Sequence, residues 1–234
     1  MSYDNHIMEV KSQVMDEKLV KQRRAQIVAG AVQLFSTQGY YKTTVQDVAK
    51  WVGVSPGLIY QYVRDKEDLL LLSILDVLES YKQMIPVAIA GIDDPLQQYC
   101  AAFQAYCRVV DARRDATILA YRSSKSLSRE RRTSVKEAER ETNKLIIDCV
   151  EACIGAGLFR PVDNELATYQ LVMYAHAWAL KHWQLSRHHD IDYYIEQGLD
   201  FSLHALLTEK GWQHWQQFNT TKKTGNRGET LCKT

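Results

Sequence analysis

The 234-residue chain is predicted to be all-α: an N-terminal three-helix domain with a helix-turn-helix, followed by a larger helical domain. Three observations predict the helical class. The only prolines are Pro56, Pro86, Pro95 and Pro161, and the stretches between them place apolar residues at three- and four-residue spacing. Period-two alternation, the mark of a half-buried strand, is scarce. The stretch "VQDVAKWVGVSPGLIYQY", residues 45–62, interrupts a helical pattern at a glycine and restarts it at Ser55-Pro56.

The elements follow in chain order. Residues 17–38 carry Ile27, Ala31, Leu34 and Phe35 on one helical stripe, with Gly39 expected as a left-handed stop. In the interrupted stretch, Ala49 permits close helix contact, Gly53 accepts positive φ, and Val48, Val52, Val54, Ile59 and Tyr62 supply the apolar surface that sets the angle. Ser55 caps the restarted helix and Pro56 occupies its first turn. Asp65 caps a connecting helix that begins at Lys66 and is expected to end before Pro86.

Further along, Leu96, Tyr99, Cys100, Phe103, Tyr106, Cys107 and Val110 form one stripe. Leu145, Ile146, Cys149, Val150, Cys153 and Ile154 form another, ending near Gly157 and Pro161. Residues 164–187 are apolar around much of the circumference, and residues 191–207 carry Tyr194, Ile195, Leu199, Phe201, Leu203 and Leu206. A helix apolar on most sides is buried on most sides, which points either to one larger core or to a partner surface. The domain boundaries read from these patterns are an extension over 1–19, a helix-turn-helix domain over 20–66, a connecting helix over 67–86, a larger helical domain over 87–210, and a largely flexible tail over 211–234. The extension either prolongs the first helix or forms an arm near DNA.

Composition narrows the function classes. A hydrophobic fraction of 46% with 24% charged residues is that of an ordinary globular chain, and no eighteen apolar residues run together, so no membrane span is expected. "MSYDNHIMEV" lacks the basic and apolar regions of a signal peptide, and five cysteines without a C-x-x-C motif suit reduced thiols; a cytoplasmic protein is expected. The net charge of +1 hides an uneven distribution, with nine basic and six acidic residues before residue 67. His188, His189, Asp190 and Asp192 fit a polar loop better than a metal site, because adjacent histidines point apart. With no G-x-S-x-G, P-loop or dinucleotide fingerprint, no catalytic residue, metal or cofactor is expected.

The series "AVQLFSTQGYYKTTVQDVAKWVGVSPGLIYQYVRDKEDLL" resembles the tetracycline-repressor (TetR/AcrR) family of bacterial transcription regulators over roughly residues 20–80. The likeness lies in the LF-ended first helix, the TT-initiated second, the A-x-x-x-G-V turn, Y-x-Y, and K-E-D-L-L. Val63 replaces the family's usual phenylalanine, and Pro56 stands where a polar or basic residue is frequent. The resemblance implies phosphate contacts from Thr44, Tyr60, Tyr62 and Lys66, whose hydroxyls and ammonium donate to phosphate oxygens. It implies base-edge positions for Gln46, Ser55, Gly57 and Gln61, with Pro56 and Gly57 able to meet thymine methyls. It also implies a homodimer through the helices at 164–187 and 191–207, set on a near-palindromic operator in double-stranded DNA, with a small-molecule effector that alters the spacing of two reading helices.

For that effector, the basic run "YRSSKSLSRERR", residues 121–132, has two readings. One is a solvent-facing helix laced with ion pairs. The other is an anion-binding mouth above an apolar pocket, suited to an acyl-coenzyme A or another anionic apolar ligand, with Tyr106, Tyr121, Arg122, Lys125, His176 and Trp178 as candidate contacts.

Overall fold

A computed structural model describes residue 10 and residues 12–217. The expected disorder after about residue 218 lies outside the described residues. Helices account for nearly all of the architecture, and among the described residues the one β feature is an isolated antiparallel bridge between Phe159 and Leu207.

The head contains α1 (Glu17–Gln38), α2 (Val45–Val52) and α3 (Pro56–Ile59). Asp16 caps α1 by accepting from the Leu19 N–H at 3.0 Å. Gly39 takes φ 90° with ψ 146°, so it turns the chain with positive φ but without the left-handed helical stop expected of it. That conformation belongs to Gly53, at φ 79° and ψ 33°. Between α1 and α2 the close approach depends on Gly30, where a Cβ would lie 2.7 Å from Val52 Cγ2 and 2.8 Å from the Trp51 ring.

α4 (Lys66–Ile89) links head to body. It runs through Pro86 rather than ending before it, because Ile85 is fully buried and Ala88 and Ile89 pack on the body core. Proline in a last turn costs one backbone hydrogen bond, and packing of the flanking residues offsets that loss here. The body continues with α5 (Pro95–Ala112), α6 (Arg114–Ser123), a short 3₁₀ turn (Ser124–Ser126), α7 (Arg129–Gly155), α8 (Asn164–Leu180), α9 (His182–Leu185) and α10 (Ile191–Leu206). A closing helix over residues 209–217 packs Trp212 and Trp215 against the body.

The head core draws Leu119 and Leu127 from the α6–α7 corner alongside Ile27, Phe35, Val48, Ile59 and Leu70. That corner is locked by charge as well. Arg131, 6% exposed, reaches Asp68 at 2.5 Å, Glu67 at 2.6 Å and Asp65 at 3.0 Å, while Arg64 pairs with Asp68 at 3.0 Å. Burial alone would raise the Asp68 carboxyl, but the hydrogen bonds from Arg64 and the charge of Arg131 bring it below its ordinary value. One arginine of the basic run is therefore neither solvated nor part of a mouth; it fastens α7 to the start of α4.

α8 and α10 are joined by a reciprocal clasp. The Tyr174 hydroxyl donates to the Tyr194 carbonyl and the Tyr194 hydroxyl to the Tyr174 carbonyl, both at 2.7 Å, with the rings stacked at 4.4 Å. On their outer side Leu166, Met173 and Phe201 remain exposed, Phe201 by 74%.

Candidate functional site

The head presents a capped helix-turn-helix. Thr44 Oγ1 accepts from the Asp47 N–H at 3.1 Å, and Asp47 Oδ2 accepts from the Thr44 N–H at 2.8 Å, a capping box that fixes the start of α2. Gly53 then closes α2, and Ser55 starts α3 by accepting from the Leu58 N–H at 3.3 Å. These local devices leave Thr44, Gln46, Ser55, Pro56, Gly57, Tyr60 and Gln61 exposed around the α2–α3 corner. No Cβ contact would arise at Gly57, so its surface stays open to close approach.

Two expected phosphate contacts are corrected. Tyr62 is 3% exposed and belongs to the head core, where its ring serves the packing that sets the helix angle. Lys66 directs Nζ to the carbonyls of Tyr40 at 2.8 Å, Thr43 at 3.0 Å and Tyr41 at 3.3 Å, and stands 4.4 Å over the Tyr40 ring. An ammonium has three donors, and all three are engaged by the α1–α2 loop. Lys66 thus holds the loop that carries Thr44, and its role in this arrangement is positional.

The body holds a cavity of about 230 Å³, partly open to solvent, whose walls come from five helices and from Ser124 of the 3₁₀ turn. α4 supplies Ile74, Val77, Leu78 and Tyr81; α5 supplies Tyr106; α6 supplies Thr117, Ala120 and Tyr121; α7 supplies Val135 and Glu139; and α8 supplies His176. At its centre Tyr121 lies 2.8 Å from His176 Nδ1, while Tyr106 and Tyr81 lie 3.3 Å and 3.4 Å from Nε2. The Tyr81 and Tyr106 rings stack at 4.1 Å. Burial pushes the His176 imidazole down to about 4, so it is neutral at pH 7, and burial likewise raises the phenols of Tyr81 and Tyr106. Burial also raises the Glu139 carboxyl, an effect opposed by the charges of Arg140 and Lys136.

Tyr106, Tyr121 and His176 were legible as cavity residues; Tyr81, Thr117 and Glu139 were not. Arg122 and Lys125 are exposed and do not line the cavity, and Trp178 is core, donating Nε1–H to Asp111 at 2.7 Å. Successive helical residues diverge by about 100°, so neighbours of a cavity residue in sequence face elsewhere. Among the described residues no group of three potential ligands gathers for a metal ion, and no helix is long and apolar enough to cross a membrane.

Comparison with known proteins agrees with both halves. Residues 27–72 match the sequence model for "Bacterial regulatory proteins, tetR family", and residues 93–183 match "Tetracyclin repressor-like, C-terminal domain". The chain is 50% identical over 202 residues to the HTH-type transcriptional regulator HbdR of Aromatoleum sp. (strain CIB), covering 86% of this chain and 88% of that protein. It is 30% identical over 151 residues to the HTH-type transcriptional repressor KstR2 of Rhodococcus jostii (strain RHA1), covering 62% of this chain and 72% of the other. A tetR-family regulatory protein from Rhodococcus RHA1 superimposes with a TM-score of 0.70 at 24% identity, over 77% of this chain and 95% of that one. At that identity the likeness is one of fold.

Proposed function

Because the chain belongs to the tetR family of bacterial regulatory proteins, we propose that it is a ligand-responsive repressor that binds a near-palindromic operator as a homodimer. The observation that carries this reading is the capped α2–α3 corner, which holds Gln46, Ser55, Gly57, Tyr60 and Gln61 exposed on a rigid turn. Amides and hydroxyls there can read base edges, while Thr44 and Tyr60 can donate to phosphates.

The twofold interface is assigned to α8 and α10, where Leu166, Met173 and Phe201 form an exposed apolar face beside the Tyr174–Tyr194 clasp. Burying such a face against its own copy removes apolar area from water and sets the two reading heads at a fixed separation.

The effector is assigned to the cavity beneath α4. Its walls suit the apolar part of an acyl-coenzyme A or another apolar anion. No lysine or arginine lines the cavity; the charges of exposed Lys136 and Arg140 act on Glu139 in its wall, and the charged part of such a ligand is assigned to them in place of Arg122 and Lys125. α6 and α7 both line the cavity and carry Leu119, Leu127 and Arg131 into the head, so ligand entry would bias the head's position. Linkage requires that the effector bind DNA-free protein more tightly by the factor that it weakens operator binding.

The test is retention of a genomic duplex library by the purified protein across a salt series. Selective retention of a palindrome, weakening steeply with salt, is the expected result. Retention no better than that of an equally charged control protein would overturn the reading in favour of a helical ligand-binding protein without DNA binding.

A further inference from the structure

The reading segment is weakly held by its own hydrogen bonds. α3 is a single turn, continued by N–H groups of Tyr60, Gln61, Tyr62 and Val63 that donate back to Pro56, Leu58 and Ile59. A single turn fixes many backbone angles for few bonds, and the carbonyls at its end lie past the last internal donor. The two final carbonyls, of Gln61 and Tyr62, are met from outside the turn.

The partner of Gln61 is the segment that precedes α1. The Gln13 N–H donates to the Gln61 carbonyl at 2.8 Å, and the Ser12 hydroxyl donates to the same oxygen at 3.1 Å. Ser12 Oγ in turn accepts the Val14 N–H at 3.1 Å, which sets its direction. The partner of Tyr62 is Arg24 on α1, whose Nε and Nη2 donate to the carbonyl at 3.2 Å and 3.0 Å. Nη2 also donates to the Val10 carbonyl, so one guanidinium joins the N-terminal segment to the reading segment. The anchor is apolar: Val10 is 3% exposed within the head core, and Val14 packs at its edge.

We infer that residue 10 and residues 12–16 act as a strap that positions the reading turn through the Gln61 and Tyr62 carbonyls, making the segment before α1 a determinant of operator specificity. The inference rests on the DNA-reading function proposed above. Ser12, Gln13 and Arg24 act as positioning residues: they hold the backbone between Tyr60 and Val63, and the exposed side chains of Tyr60 and Gln61 ride on it. Specific readout depends on the placement of those side chains within tenths of an ångström, whereas attraction to phosphates depends chiefly on charge. Releasing the strap therefore lowers specific binding and spares binding to any duplex.

The experiment uses the full chain with two probes: the duplex that the unaltered protein selects from a genomic library, and a scrambled duplex of equal length. Gln13→Pro deletes the N–H at an exposed position, Gln13→Ala keeps it, and Arg24→Met removes the clamp on Tyr62. The expected result is a fall of about tenfold in the ratio of selected to scrambled affinity for Gln13→Pro and for Arg24→Met, with the ratio restored in Gln13→Ala. Unchanged ratios in both variants would overturn the inference, as would parallel losses on the two duplexes, which mark a role in folding or charge alone. If Gln13→Pro melts earlier than the parent, Ser12→Ala decides by the same ratio. A parent that selects no duplex refutes the DNA-reading function itself; a selective parent with equally selective variants refutes only the strap.

Discussion

Acidification should destabilise this protein through one buried imidazole. His176 is ringed by the hydroxyls of Tyr81, Tyr106 and Tyr121, with the Glu139 carboxyl on the same cavity, and burial depresses it from 6.5 to about 4. Between those values the unfolded chain holds a proton that the folded chain refuses. Its contribution is therefore complete above pH 6.5 and is lost as pH falls, levelling near pH 4. Integrated between pH 7 and pH 5, the loss is about 2 kcal/mol. Glu139 shifts upward and so contributes with the opposite sign, which is why a difference measurement is needed. His176→Gln keeps a polar side chain among the tyrosines but removes the titration. Urea unfolding at pH 7 and pH 5, at one fixed protein concentration, should show the parent losing about 2 kcal/mol more than the variant. Parallel pH profiles would refute the argument that burial holds this imidazole neutral.

Three further outcomes follow from the packing. Arg131→Met should cost about 3 kcal/mol or more by urea unfolding, since it leaves the fully buried Asp68 with Arg64 as its remaining cationic partner. Phe201→Asp should shift the sedimentation coefficient from dimer to monomer and weaken operator binding at least tenfold, because a charge would enter the face assigned to the twofold contact. Gly30→Ala should lower the unfolding free energy by about 1–2 kcal/mol despite its better helix propensity, as the new methyl meets Val52 and Trp51.

The head was legible in the sequence because its signals are short-range. Ser55, Asp65 and Gly53 each act on atoms within a few residues, and each caps or turns the chain where the pattern places it. Tyr62 and Lys66 misled for the converse reason: a hydroxyl and an ammonium suit a phosphate equally well as they suit the core and the carbonyls of residues 40–43, and only the tertiary fold brings those carbonyls near. The cavity was half legible. Tyr106 and His176 announce themselves as polar groups in apolar helices and Tyr121 opens the basic run, but Tyr81 and Glu139 join them from two other helices, which no periodicity reports. Pro86 shows burial of Ile85 and its neighbours outweighing a local stop signal.

The reciprocal tyrosine clasp between α8 and α10 bears on how such proteins diverge. It joins the two helices by their own backbone carbonyls, independently of whatever side chains point away from the body. The outward positions at Leu166, Met173 and Phe201 can then drift without loosening the panel that displays them. With the proposed twofold contact on that panel, two daughter copies arising by gene duplication could become mutually incompatible by a few changes there, each still pairing with itself and neither poisoning the other's pairs.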